Sequence, residues 1–323
     1  MKIIVVGAGI SGCVCAYELS KAGHEVVVVE KGRGVGGRMA TRRMKGARID
    51  HGAQFLTARS PRMLTLLEQW KSNQDVVPWY DRIPDRPDLP TGVRYRGSMG
   101  MTSPVKYLAR SFSSELVFFV DQVVRQDTGW LVCEAGHLGR KLTADHIVLT
   151  LPSVQMLDLF DRSSLVLDDG TMKRLGDIRH TRCLALLGLL EERSCLDHPG
   201  TVAHPDEQVD WLSDNQRKGI SELPSFTLHA NDEYSQKYWD APDQERVPHL
   251  LGVAEEFLGV RVTQWSVHRW GFAKPLVTFG DSHWHSDDLA LTLAGDGFGG
   301  ERVENSALSG WNAADAILKR TNY

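Results

Sequence analysis

The chain is poor in everything that would announce a disulfide framework, a metal, a nucleic acid or a membrane. Its five cysteines, Cys13, Cys15, Cys133, Cys183 and Cys195, are scattered over 323 residues. No pair has zinc-site spacing. Thiols this few and odd in number point to a reducing compartment, so the expected location is cytoplasmic. No long basic block occurs, which argues against nucleic acid or an anionic membrane surface as partner. No apolar stretch reaches the roughly 18 residues that a membrane span needs. Lys2 and the apolar run after it look like a secretory leader. However, Gly7, Gly9 and Gly12 break that run, so Met1 is read as the mature start. Internal repeats and low-complexity segments are absent.

What remains is an ordinary globular balance, with 42% hydrophobic residues, 24% charged residues and a net charge of -4. A chain of this length buries a core in one large or two medium domains.

Its most informative stretch is the first. Lys2 to Val6 is a continuous apolar run, as expected of a strand buried on both faces of a parallel sheet. Gly7 to Gly12 make a turn, Cys13 to Ala22 read as a helix, and Glu25 to Glu30 read as a second buried strand. The whole is a βαβ unit in about 30 residues. The turn has the pattern G-x-G-x-x-G. Gly7 permits the tight turn, Gly9 lets backbone approach a pyrophosphate, and Gly12 lets the helix pack close to the strand. Ile10 and Ser11 open a helix whose N-terminus offers free N–H groups and partial positive charge to phosphates. Glu30 ends the second strand where a carboxylate meets the ribose of a bound adenosine.

Two further features favour FAD over NAD. Lys31 is followed by Gly36-Gly37-Arg38, an open backbone beside a guanidinium, suited to a pyrophosphate. A second glycine-rich turn, Gly295 to Gly300, precedes a helix expected from Val303 to Arg320. There Asp296 is placed to accept from ribityl hydroxyls, and the helix start at Val303 and Glu304 to stabilise negative charge on a reduced flavin. Elsewhere the pattern predicts helices over Pro61 to Ser72 and Pro104 to Ser111. Strands are predicted over Leu116 to Val120, Trp130 to Cys133, His146 to Thr150, Cys183 to Leu189, Ser225 to His229 and Leu276 to Gly280. The Pro- and Asp-rich segment Pro78 to Thr91 reads as loop.

The run from Gly7 through Glu30 to Arg38 resembles the flavin amine oxidase superfamily and, within it, the bacterial renalase family. Supporting residues are Asp50 to Arg59, Tyr95 to Met101, His268 to Ala273, Gly280-Asp281 and Gly295 to Phe298. The resemblance runs end to end but is thin in the middle. It implies an α/β fold: a Rossmann-type FAD-binding domain of the p-hydroxybenzoate hydroxylase type, with a parallel sheet and helices, plus an α+β substrate domain with a mixed or antiparallel sheet. The expected boundaries are 1–58, 96–160 and 270–323 for the first and 59–95 and 161–269 for the second. The resemblance also implies cofactor contacts from Ala53, Gln54, Phe55, Val123 and Phe298. Of the two Gly-Asp pairs, Asp296 is taken as the flavin contact because a helix follows it, with Gly280-Asp281 as fallback. No tail cysteine is placed to tether a flavin, so FAD is expected to be noncovalent.

Bacterial renalases oxidise the isomeric 2- and 6-dihydro forms of NAD(P) to NAD(P)+ by hydride transfer to flavin N5, and dioxygen becomes hydrogen peroxide. The resemblance implies that activity here, with no catalytic side chain, since a dihydropyridine yields its hydride without losing a proton. The expected partners are thus a small dihydronicotinamide and dioxygen. Candidate substrate contacts are Trp270 as an aromatic wall, the loop Arg96-Gly97-Ser98-Met99-Gly100, Arg59 for a carboxamide or phosphate, and His229 with Asn231 for a carboxamide. Each also fits a plainer role in packing, turn or surface. His283 and His285 fit a polar loop better than a metal site, so no metal is expected. Two alternatives stay open: an oxidase or desaturase of another small substrate such as an amine, and a flavin-binding redox sensor without turnover.

Overall fold

The computed structural model describes residues 1–82, 91–136 and 139–320, the last of these without its side chain. The chain forms two compact units: Met1–Gly37 with Val105–His180 and Lys274–Tyr323, and Arg38–Pro104 with Thr181–Ala273. These bounds differ from the sequence-based ones at residues 38–58, 96–104 and 270–273, which group with the second unit, and at residues 161–180, which group with the first.

The first unit is built on a six-stranded sheet in the order Trp284–Ser286, Leu291–Leu293, His146–Leu149, Lys2–Val6, Glu25–Glu30, Ser113–Leu116. All neighbours are parallel except the first pair. Ile3, Ile4 and Val5 are fully buried, which explains why the first strand is apolar without alternation. The first helix, Ile10–Lys21, follows it, and Gly310 of the last helix packs on the Ser11 backbone so closely that any Cβ would collide. A three-stranded antiparallel sheet, Val120–Gln126, Gly129–Glu134 and Lys141–Ala144, completes this unit.

The expected strand Leu116 to Val120 is broken. Val117 has φ 56, a left-handed conformation that stops one strand at Leu116 before another begins at Val120. Such a φ is costly for a β-branched residue, so propensity misleads here.

The second unit holds a five-stranded antiparallel sheet in the order Thr201–Asp206, Val209–Asp214, Ser225–Ala230, Cys183–Leu190, Val262–Trp270. Alternate residues face opposite sides. Leu184, Leu186, Phe226 and Leu228 pack with Leu250, Ala254 and Leu258 of the helix Pro248–Leu258. Ala185 and Leu187 face the other way, onto Ala47 and Ile49 of the hairpin Thr41–Met44/Ala47–Asp50. The run Cys183–Leu190 is apolar throughout because both its faces are covered.

Part of the loop expected at 78–91 lies outside the described residues. Within them, Val76–Tyr80 is a strand paired to Arg94–Gly97. Pro78 is tolerated because a two-stranded pair is all edge, and it sits beside a register shift. No helix among the described residues is long and apolar enough to cross a membrane.

Candidate dinucleotide and substrate sites

In the first unit the glycines of the first turn do distinct things. Gly7 has φ 106, and a Cβ on it would lie 2.7 Å from Thr150 Oγ1. A Cβ on Gly12 would collide with the Gly7 carbonyl, so only glycine lets the helix start so near the strand. Gly9 differs: a Cβ there meets nothing within 4 Å. Its backbone faces open space, as an approaching pyrophosphate requires.

The helix that begins at Ile10 has no side-chain cap and no acidic residue in its first turn. Its leading N–H groups therefore keep their partial positive charge for an anion. Ser11 Oγ is buried there without a hydrogen-bond partner. A buried unpaired hydroxyl at an uncapped helix start fits a phosphate oxygen as its missing acceptor.

Glu30 closes the site. Its Oε2 accepts from the Ala8 N–H at 2.8 Å and its Oε1 from the Gly32 N–H at 2.7 Å. The carboxylate thus pins both ends of the cradle, and each oxygen keeps a lone pair for a ribose hydroxyl. Lys31 Nζ instead donates to Gln155 Oε1 at 3.3 Å. The Gly36 N–H donates to the Ala8 carbonyl at 2.8 Å, and a Cβ on Gly37 would lie 3.2 Å from Gly9 Cα. The second glycine pair thus builds the wall of the first turn.

The glycine-rich turn near the C-terminus belongs to the same unit. Asp296 is buried, with Oδ2 3.4 Å from His180 Nε2. Asp281 is exposed and ion-paired with Arg174. Of the two Gly-Asp pairs, the buried one has the setting of a ligand-facing carboxylate. Phe298 packs tilted against Phe279, with ring centroids 4.8 Å apart, and joins the core. Val303 begins the last helix, and Glu304 lies buried in its first turn. The positive end of that helix already holds an anion, which weakens the expectation that it stabilises a second one.

Two expected cofactor contacts are corrected. Val123 lies in the hydrophobic core, and its N–H donates to Ser163 Oγ at 2.9 Å. Gln54 has no capacity left. Its amide donates to the carbonyls of Asp50 at 2.6 Å and Gly52 at 3.0 Å, and its oxygen accepts from Ser213 Oγ at 2.9 Å and Lys218 Nζ at 3.2 Å. Beside it, the Ala53 N–H donates to the Arg38 carbonyl at 2.8 Å. Phe55 packs with Tyr80 and Trp211. Arg38 Nη1 donates to the Phe272 carbonyl at 2.8 Å.

In the second unit the sheet register assembles a row that the sequence does not announce. Trp211 lies opposite His229, His229 opposite Ala185, and Ala185 opposite His268. Paired residues share a face, so these side chains line one surface. Trp270, two residues beyond His268, shares it. His51 caps the row: its carbonyl accepts from His229 Nε2 at 3.1 Å and Trp270 Nε1 at 2.8 Å. The His51 ring stacks on Trp270 at 5.0 Å and meets His268 edge-on at 4.9 Å. Burial, then the neighbouring His268 and Arg42, pull the His51 pKa down to about 3, so the ring is neutral at pH 7. Burial and then Arg42 lower His268 as well.

Beneath this row runs a buried polar network. Lys218 Nζ lies 2.8 Å from Asp50 Oδ2, and Asp50 Oδ1 accepts from Thr41 Oγ1 at 2.6 Å and the Met101 N–H at 2.8 Å. Burial lowers the Lys218 pKa, with Asp50 opposing that pull. Nothing in the sequence around Lys218 marks it. Asp50 opens one of the stretches that carry the family resemblance, but the sequence suggests no role for it.

The other substrate candidates fare differently. The loop Arg96 to Gly100 is a tight turn, not an open platform. A Cβ on Gly97 would collide with the Gly100 carbonyl, and one on Gly100 with Thr41 Oγ1. Arg96 donates to the Gly97 carbonyl at 3.2 Å and the Ser98 carbonyl at 3.1 Å, which binds the turn to itself. Met99 is exposed at its tip and Arg59 is exposed. Asn231 caps the helix Asp232–Lys237 by accepting from the Tyr234 N–H at 2.8 Å, so it is not available as a substrate contact. His285 Nδ1 lies 2.8 Å from Thr292 Oγ1. Among the described residues no group of three or more His, Cys, Asp or Glu could hold a metal ion.

Residues 5–70 match the family described as the NAD(P)-binding Rossmann-like domain. Over 66 residues the chain is 42% identical to a putative flavin-containing monoamine oxidase of Mycobacterium tuberculosis, a match covering 20% of this chain and 14% of that protein. The match thus spans a small part of that relative's length. Cyclohexylamine oxidase from Brevibacterium oxydans has a similar structure, with TM-score 0.75 at 13% identity over 100% of this chain and 99% of that one. A putative protoporphyrinogen oxidase from Exiguobacterium gives TM-score 0.72 at 15% identity over 98% of each chain. At such identities the likeness is one of fold. The chain has a Rossmann-like domain at its start, and its fold is like that of cyclohexylamine oxidase.

Proposed function

We propose that the chain is an FAD-dependent oxidase that restores NAD(P)+ from its 2- and 6-dihydro isomers, with dioxygen reduced to hydrogen peroxide. One observation supports the cofactor most: the uncapped helix start with its open Gly9 backbone and unpartnered Ser11 hydroxyl. Gly7, Gly12, Glu30, Gly36 and Gly37 build that cradle, and Asp296 is the carboxylate for the ribityl chain. FAD, when bound, supplies a two-electron acceptor at N5. The cofactor is held noncovalently. Cys13 and Cys15 are buried, and burial pushes both thiols up, far from the thiolate that would form a tether.

For the substrate, the row His229, His268 and Trp270 under His51 offers flat ring surfaces suited to a nicotinamide, and burial holds the His51 and His268 pKa values down. Hydride transfer from a dihydropyridine needs no ionised base. The name of the Mycobacterium relative favours instead an amine as substrate. Oxygen-electrode assays with a peroxide readout separate the two. Peroxide formed from 6-dihydroNAD but not from primary amines supports the first reading. Peroxide from amines alone overturns it.

A further inference from the structure

The hairpin Thr41–Met44/Ala47–Asp50 is unusually basic. It carries Arg42, Arg43, Lys45 and Arg48, and its one carboxylate, Asp50, is buried on Lys218. Arg43 lies directly opposite Arg48 in the register, and like charges so placed destabilise a strand pair. Among the described residues none of these four cations forms an ion pair. The hairpin bears this repulsion without internal compensation, so positive charge is retained at a cost to folding.

Arg42 is the one of these cations on the hairpin face where Ile49 and Ala47 pack in the cluster with Trp270, and it lies opposite Ile49. Its charge helps hold down the pKa of both His51 and His268, and among the described residues no carboxylate forms an ion pair with either ring. The surface beside Trp270 is therefore neutral rings with an exposed guanidinium at the edge. An ammonium placed there would meet repulsion and no counter-ion, whereas a phosphate would gain a charge-assisted, two-pronged partner.

We propose that Arg42 is the specificity-determining residue of the second unit, recognising a phosphate on a planar-ring substrate and turning cationic amines away. This rests on the dihydronicotinamide reading but is tested without turnover. Nicotinamide mononucleotide and nicotinamide riboside share a ring and differ by one phosphate. Their affinities for the FAD-loaded protein are read from tryptophan quenching and from the flavin band.

Wild type should bind the mononucleotide at least about tenfold more tightly than the riboside, with the advantage shrinking as salt rises. In Arg42→Gln that ratio should fall to about one, and in Arg42→Glu below one. Arg43→Gln, on the opposite face of the hairpin, should keep the wild-type ratio. Equal affinities in wild type, or an unchanged ratio in Arg42→Gln, would overturn the role of Arg42. The ratio can be measured whether or not dihydroNAD(P) is oxidised. Conversely, an absence of turnover with the ratio intact would sink the catalytic reading alone.

Discussion

Lys218 Nζ lies 2.8 Å from Asp50 Oδ2, and neither side chain reaches solvent. The two residues are 168 positions apart in the chain, so the pair ties the segment beneath His51 to the distant turn that carries Lys218. Removing one partner strands a buried charge. Lys218→Met should destabilise the protein by about 3–5 kcal/mol, measured by urea unfolding. Combining it with Asp50→Asn should recover most of that loss, because no charge is then left unpaired. If the double variant is no more stable than the single one, the carboxylate is not the source of the penalty.

Gly9 and Gly12 should separate folding from cofactor binding. Gly12→Ala drives a methyl into the Gly7 carbonyl and should lower stability even without cofactor. Gly9→Ala meets open space at an ordinary φ of -71. Its cofactor-free stability should be unchanged or rise by about 0.4–1 kcal/mol, while its FAD affinity should fall about tenfold or more. Thermal melts with and without FAD would show it. Equal FAD affinity in Gly9→Ala and wild type would mean the pyrophosphate does not approach there.

Ser11→Ala tests the unpartnered hydroxyl. It removes a buried group that has no hydrogen bond to lose, so the cofactor-free protein should be as stable as wild type or slightly more so. FAD affinity should fall about ten- to hundredfold, the worth of one hydrogen bond to a charged acceptor. Urea unfolding reads the first effect and isothermal titration the second, and unchanged affinity would remove Ser11 from the site.

The acid side of the stability profile should carry the mark of His51. Its folded pKa, down to about 3, lies below that of an unfolded histidine, about 6.5. The unfolded chain then binds a proton that the folded one does not between those values. Stability should fall as pH drops through this window, by about 1.4 kcal/mol per pH unit for each such group. Above pH 7 this contribution is flat. His51→Gln should shallow the acid slope in urea titrations at pH 4–6. An unaltered slope would mean that His51 is protonated in the folded state.

The sequence discloses what is local. The turn Gly7–Gly12, its flanking strands and Glu30 lie within a short stretch, where apolar continuity and glycine spacing decide the structure. Helix Pro61–Ser72 is equally legible, with Ser60 accepting from the Met63 N–H and Pro61 at the first helical position. The row His229, His268 and Trp270 is not, because its members meet only through strand register. The strands Thr201–Asp206 and Val209–Asp214 are hidden too, since their polar residues blur the alternation. Gln54 looks like a cofactor contact from its motif alone, yet the partners that exhaust its amide include Ser213 and Lys218, far away in the chain.

Everything functional here requires that this chain bind FAD and that the bound cofactor take electrons from a dihydronicotinamide. An anaerobic titration of the FAD-reconstituted protein, followed by visible absorbance, puts both requirements to the test at once. The expected result is a yellow protein whose flavin band bleaches with one equivalent of 6-dihydroNAD per flavin and returns when air is admitted. A protein that stays colourless with excess FAD, or a yellow one that bleaches with amines but not with the dihydronicotinamide, would show the reading to be wrong.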